Sequence, residues 1–362
     1  MIEPPYALTC ELTHRCPLKC LYCSNPLSLI RAEDELTTDE WLRVICEAKE
    51  LGIVQVNFSG GEPLAYEGLP QIVALCKNFD LYTHLVTSGI GLDRRKFDTL
   101  RQSGLESIQI SFQADDERLS ESIAGGNFLA QKRAAASLVA GSDIPLTLNV
   151  VLSRFNLDRL EQILDQFLKF RPRRIELANV QFYGWALANR SYLLPSSEQL
   201  KRAEALYLAR KAKLNGEVEI DWVISDYFEN YPKPCMGGWA STHLCVTPVG
   251  EALPCLAASA IKGLPFPSVK SKDLSWIWYE SEAFNRFRGL GWMTKPCSEC
   301  ELRFVDFGGC RCQAFLLTGD ASSADPVCRL SPARHLIDEA LAEKNRTAVR
   351  YRCFSQPDAS VP

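Results

Sequence analysis

Three cysteines, Cys16, Cys20 and Cys23, fall within eight positions of the stretch CELTHRCPLKCLYCSNPL at residues 10–27. A closed zinc site wants four ligands and a disulfide wants two, so neither explains this CxxxCxxC triplet. Three thiolates can instead hold three irons of a four-iron cluster, leaving the fourth iron open as a substrate-binding position. Pro17 and Lys19 make the loop a poor core segment, which argues against three merely buried thiols.

The chain has 362 residues and 15 cysteines, none of them between Cys76 and Cys235. Two metal-bearing regions are expected, one at each end. The N-terminus shows no basic segment followed by an apolar run, and no stretch has the apolar length of a membrane helix, so a cytoplasmic protein is expected. In that reducing compartment metal ligation explains so many cysteines better than disulfides do. Net charge is -4 and no lysine or arginine block stands out, which sets nucleic acid aside as a partner.

The loop must be positioned by something, and the surrounding sequence supplies a repeating frame. Short branched apolar runs at 6–12, 53–58, 81–87, 105–112, 145–152 and 174–180 read as six strands. Helical segments separate them. The first spans 36–52, with Thr37 and Glu40 at capping-box spacing and Gly52 as its stop; others lie at 93–103, 129–141 and 156–170. Repeated β-then-α units require a parallel sheet, and right-handed crossovers favour curling it into a whole or partial barrel. Ligands then belong at the C-terminal strand ends, where the cysteine loop begins. NFSGGEPL at 57–64 follows the second strand, and its two glycines would let backbone carbonyls approach a ligand. Beyond about residue 225 the rhythm gives way to proline, glycine and cysteine, so a second, cluster-bearing domain is expected there.

The triplet, with Tyr22 before its last cysteine, resembles the signature of radical S-adenosylmethionine (SAM) enzymes. The resemblance implies that the open iron chelates the amino and carboxylate groups of SAM. One electron then cleaves SAM to a 5'-deoxyadenosyl radical. GGEP resembles the segment that binds the methionine amino group, which implies roles for Gly60, Gly61, Glu62 and Pro63; Ser88, Ser111 and Asn149 would line the SAM pocket. Where many relatives carry an arginine for the SAM carboxylate, this chain has Ser122, so Arg118 or Arg154 is expected to serve.

The C-terminal cysteines resemble a SPASM domain, which carries two auxiliary iron-sulfur clusters. Cys235, Gly250 and Cys255 fit its opening pattern, and Cys297, Cys300 and Cys310 fit a CxxCxxxxxCxxxC block whose third position is Asp306. A carboxylate can ligate iron as a hard donor. The resemblance implies one cluster on Cys297, Cys300, Asp306 and Cys328. The other falls to Cys235, Cys255 and Cys310, with Cys312 preferred to Cys245 as fourth ligand. The expected fold is therefore α/β, a partial (β/α)6 TIM-type barrel at 1–225 with a SPASM domain at 226–335 and a C-terminal helix and tail at 336–362.

VQFYGWALANR, CMGGW, FNRFRGLGWM, DFGGCRCQAFLLTGDA and DPVCRLSP narrow the resemblance to the PqqE family, which opens pyrroloquinoline quinone (PQQ) biosynthesis. This implies that the glutamate γ-carbon is joined to the tyrosine ring within the precursor peptide PqqA. Loss of an electron to the auxiliary clusters would complete the reaction. An electron donor such as flavodoxin is implied. The first strand begins by about residue 6, without room ahead of it for a peptide-recognition domain, so a separate carrier, PqqD, is expected to present the peptide. Thioether-forming and sulfatase-maturing SPASM enzymes would share the cluster motifs. Tyr183 and Trp185 read first as core aromatics and second as pocket walls.

Overall fold

A computed structural model describes residues 2–343 and 349–354. The six expected strands are present as β1 (Ala7–Glu11), β2 (Gln55–Ser59), β3 (Tyr82–Thr87), β4 (Ser107–Phe112), β5 (Leu146–Leu152) and β6 (Arg174–Asn179). Three more follow, β7 (Glu219–Val223), β8 (His243–Val246) and β9 (Ala252–Leu253). The sheet runs β7-β6-β5-β4-β3-β2-β1-β8-β9, parallel throughout except for the last pair. Because its order ends on β7 and β9, it is an unclosed barrel wall.

Helices cover the outer face, as an all-parallel sheet demands. The helix α1 (Thr38–Leu51) starts with the capping box read from Thr37 and Glu40 and ends on Gly52 in the left-handed region at φ 91°. It buries Trp41, Val44, Ile45, Ala48 and Leu51, a stripe at helical spacing. The expected helix over 156–170 is a 3-10 turn at Leu157–Arg159 running into a helix at Leu160–Leu168.

The sheet does not stop at residue 225. β8 adds to the free edge of β1, with Thr9 paired to Cys245 and Cys10 to Val246. Hydrogen bonds fasten this later region to α1 and the N-terminus: Arg43 Nη2 donates to Val269 O, Leu274 N to Glu47 Oε2, and Trp278 Nε1 to Glu3 O. The helix expected after 336 is found at His335–Ala342, while 344–348 and 355–362 of the expected tail lie outside the described residues. Among the described residues no helix is long and apolar enough to cross a membrane.

The Gly60–Gly61 turn has a further role that the sequence expectation did not include. Its closest neighbours are the backbone of the loop leaving β1. Gly61 N donates to Thr13 O at 2.6 Å, and Glu62 N to Arg15 O at 2.7 Å. A Cβ on Gly61 would meet Arg15 O at 2.5 Å and His14 O at 2.7 Å; one on Gly60, at φ +137°, would meet Thr13 O at 2.4 Å. The glycines therefore let one backbone zip onto another, and the residue after Arg15 is Cys16. Gly61→Ala should destabilise the fold by about 1–3 kcal/mol or more in chemical denaturation, since rigid backbone cannot yield to the methyl group. The variant should also assemble less iron at the triplet. Unchanged stability and iron loading would show that the close approach is not a constraint.

Candidate active site and cluster centres

Three cavities take up the predicted ligands. The first, about 300 Å3, lies at the C-terminal strand ends and is lined by Cys16, Cys20, Tyr22, Cys23, Gly60, Gly61, Ser88 and Ser111. Burial pushes the Cys16 thiol up to about 11 and Cys20 to about 12. Neither is a thiolate alone at neutral pH, so metal must displace the proton. Burial also drives the Tyr22 phenol well above its usual range; its hydroxyl accepts from Gln113 Nε2 at 2.9 Å. Cys23 donates to Asn25 Oδ1 at 3.3 Å, and Asn25 Nδ2 donates to Glu11 Oε1 at 2.7 Å, tying the loop back to β1.

Glu62, Pro63 and Asn149 do not line this cavity. The Glu62 carboxylate is turned beneath it, accepting from Thr87 Oγ1 at 2.5 Å, Ser88 N at 2.9 Å, Ser88 Oγ and Leu64 N. It fixes the end of β3 rather than facing a ligand. Pro63 is buried at the start of a 3-10 turn. Asn149 sits opposite Ser111 in register, but on β5 the cavity is reached two residues further on, by Val151 on the same face. Arg118 and Ser122 are exposed, the Ser122 hydroxyl turns back to Leu119 O, and Arg154 donates to Leu194 O. None of these three reaches the cavity.

Other lining residues escaped the sequence reading: Gln113, Asn179, Gln181 and Arg352. Gln113 stands two residues beyond Ser111, just past the end of β4, where the strand's alternation carries on to the cavity side. Just behind the lining lies Lys132, fully buried on helix Leu129–Ala140, its Nζ donating to Ser88 O at 3.1 Å and Ser111 O at 2.7 Å. Burial lowers it to about 8, opposed first by the Cys20 thiol and then by Glu62. Its sequence signal is a charge on the Leu129–Ala136–Val139 face.

The second cavity, about 360 Å3, is lined by Cys235, Cys255 and Cys310 with Tyr183 and Gln181. Cys312 joins them, its Sγ 3.7 Å from Cys255 Sγ; Cys245, buried in β8 beside Thr9, also lies near enough to Cys255 to feel its charge. Hydrogen bonds from Cys235 and then Cys312 hold the Cys310 thiol well below its usual range, with Tyr183 Oη 3.2 Å away also contributing. Trp185 is fully buried, as a core aromatic. A third, small cavity is lined by Cys297, Cys300, Asp306 and Cys328, with Asp325 at its wall. Burial raises the Asp306 carboxyl, which accepts from Gly308 N at 2.8 Å. Arg311, fully buried, stacks over Trp292 and donates to Ala321 O, Ser323 O and Gly308 O, so one guanidinium holds the turns around these ligands.

Among the described residues no three His, Cys, Asp or Glu side chains close on a single metal ion. A multinuclear centre, whose ligands sit on different metal atoms, is the unit these donors fit. In the first cavity the donor set is three thiols, and a buried polar atom, Arg352 Nε, lacks a hydrogen-bond partner.

Residues 10–167 match the Radical SAM superfamily and 235–301 an iron-sulfur cluster-binding domain, SPASM. The chain is 46% identical over 362 residues to a PqqA peptide cyclase of Granulibacter bethesdensis, covering 100% of this chain and 97% of that one. A PqqA peptide cyclase of Streptomyces rochei is 48% identical, with 94% of each chain covered. The fold matches that of Streptococcus suis SuiB bound to S-adenosylmethionine, with TM-score 0.75 and 19% identity, over 91% of this chain and 78% of that one. A radical SAM enzyme with a four-iron cluster, SAM and auxiliary SPASM clusters as cofactors is thereby established, and the chain belongs to the PqqA peptide cyclase family.

Proposed function

We propose that this chain joins the γ-carbon of a glutamate to the ring of a tyrosine within a PqqA precursor peptide, the first step of PQQ biosynthesis. The observation that carries this reading is near-full-length identity of 46–48% to PqqA peptide cyclases. It is supported by a three-thiol cavity at the strand ends and two further cysteine groups. The barrel and the 226–335 region divide these roles.

When bound, the clusters and SAM supply hydrogen-atom abstraction and an acceptor for one electron. The chain's own groups do the rest. Cys16, Cys20 and Cys23 would hold the cluster, leaving a position on it for SAM. Ser88, Ser111, Gln113 and Asn179 offer hydrogen bonds along the cavity wall. Gln181 lines both the first cavity and that of Cys235, Cys255 and Cys310, so the reacting peptide and the electron acceptor share a wall. The enclosing strands exclude water that would quench a carbon radical. Each joined carbon gives up one hydrogen, one as an atom and the other as a proton plus an electron.

PqqD is proposed to present the peptide, raising its local concentration by tethering, and a flavodoxin-type protein to supply reducing electrons in the cytoplasm. Anaerobic incubation with SAM, reductant, PqqA and PqqD should give a peptide two hydrogens lighter, with tandem fragments showing glutamate and tyrosine joined. A sulfur bridge in the product would overturn the reading. Full conversion at low peptide concentration without PqqD would remove the carrier from it.

Asp306 yields a second expectation. Asp306→Cys should retain iron, because thiolate is the commoner ligand, yet shift the spectrum and potential of one auxiliary cluster. Peptide cross-linking should fall more than SAM cleavage. An unchanged cluster spectrum would place Asp306 outside the ligand set.

A further inference from the structure

The cavity of the cysteine triplet contains one charged residue among its described lining, and it comes from the far end of the chain. Arg352 is 3% exposed, and its guanidinium lies against the triplet, its charge acting on the thiols of Cys23 and Cys16. Nη2 donates to His14 O, on the loop that leads into Cys16. Nε is buried with no hydrogen-bond partner. A guanidinium taken from water and left with an idle donor is costly unless an anion meets it.

The segment that delivers Arg352 is fastened on both sides of it. Asn189 accepts from Arg350 N at 2.9 Å and donates to Arg350 O at 2.7 Å, and the same amide donates to Leu21 O at 2.8 Å within the cysteine loop. Tyr351 Oη donates to Ser122 O at 2.8 Å, and its ring stands 3.1 Å from where a Cβ on Gly125 would lie. Val349 packs against the cluster that contains Leu21, Phe182 and Tyr227. Arg350 and Tyr351 are thus anchored to Asn189 and Ser122, and the next residue, Arg352, lines the cavity.

The ligand of this cavity carries one carboxylate, on its methionine end. We propose that Arg352 binds the SAM carboxylate, a cation supplied by the C-terminal segment in place of the candidates Arg118 and Arg154, which lie elsewhere. Arginine suits the task, since its planar donor fork matches a carboxylate and stays charged at any working pH. The glutamate of the peptide substrate is the other available carboxylate, and the test must separate the two.

The experiment uses full-length, cluster-loaded enzyme without peptide. SAM affinity is measured anaerobically by titration calorimetry, and decarboxylated SAM is measured as a competitor, for the native chain, Arg352→Gln and Arg352→Lys. Losing a charge-assisted hydrogen bond should weaken SAM about tenfold to a hundredfold in Arg352→Gln. The decarboxylated competitor should change by less than about threefold, and Arg352→Lys should recover part of the loss. Iron content and circular dichroism confirm that each variant is folded and loaded. If both ligands weaken equally, Arg352 only holds the mouth in shape and the proposal fails. If SAM binding is intact in Arg352→Gln, the SAM assignment fails; a raised KM for peptide in a separate turnover assay of that variant would then give the carboxylate to the peptide.

Discussion

Where the loop after β1 crosses the end of β2, backbone lies on backbone with no room for a side chain. Gly61 N donates to Thr13 O and Glu62 N to Arg15 O, and any Cβ on Gly60 or Gly61 would fall within 2.7 Å of a carbonyl oxygen of that loop. This contact fixes the point at which the chain turns into Cys16. The remaining positions of the triplet are held by a second contact, because Lys19 N and Leu21 N donate to Ala124 O and Ile123 O at the end of the first helix after β4, Glu117–Ala124. His14 O, held in the same zipper, is also what Arg352 grips. A local steric constraint between two turns thus sets the geometry of the whole mouth.

The two ends of the chain treat thiols differently. Around Cys16 and Cys20 burial dominates and raises both groups, with Lys132 behind and Arg352 in front as the compensating cations. Around Cys310 the thiols stabilise one another by hydrogen bonding, and one of them is already held low. The third group replaces a thiol by the Asp306 carboxylate and is braced by Arg311. Different surroundings suit centres with different tasks, because solvation and hydrogen bonds to ligands set cluster potentials.

Much of this frame could be read in the sequence, for physical reasons that also mark where the reading stopped. The strands β1 to β6 carry continuous branched runs because both faces are covered, and α1 announces itself through Thr37, Glu40 and Gly52. β7, EIDWV, buries only Ile220 fully and so gives a weak signal; β8 and β9 are only four and two residues long, too short to show a period. Their place in the sheet depends on β1 offering a free edge, which no local pattern reveals. Ser111 and Asn149 are paired in register, yet Ser111 lines the cavity while β5 reaches it only at Val151, a difference in depth that no local sequence pattern carries. Glu62 carries a motif signal for ligand binding, and what the sequence does not show is that its carboxylate accepts from Thr87, Ser88 and Leu64. Arg352 lies 329 residues beyond Cys23, by subtraction of their positions, and nothing near it in sequence points to a cavity.

Three separate cysteine groups stand in this chain, and only the N-terminal one, with three thiols, would leave a position for SAM. The most direct measurement is iron and sulfide content, with electron paramagnetic resonance of the reduced protein, in a variant with Cys16, Cys20 and Cys23 all replaced by alanine. The variant should lose one cluster's share of iron, retain the auxiliary signals and form no 5'-deoxyadenosine from SAM. A variant that still cleaved SAM, or one that kept its full iron content, would contradict this assignment.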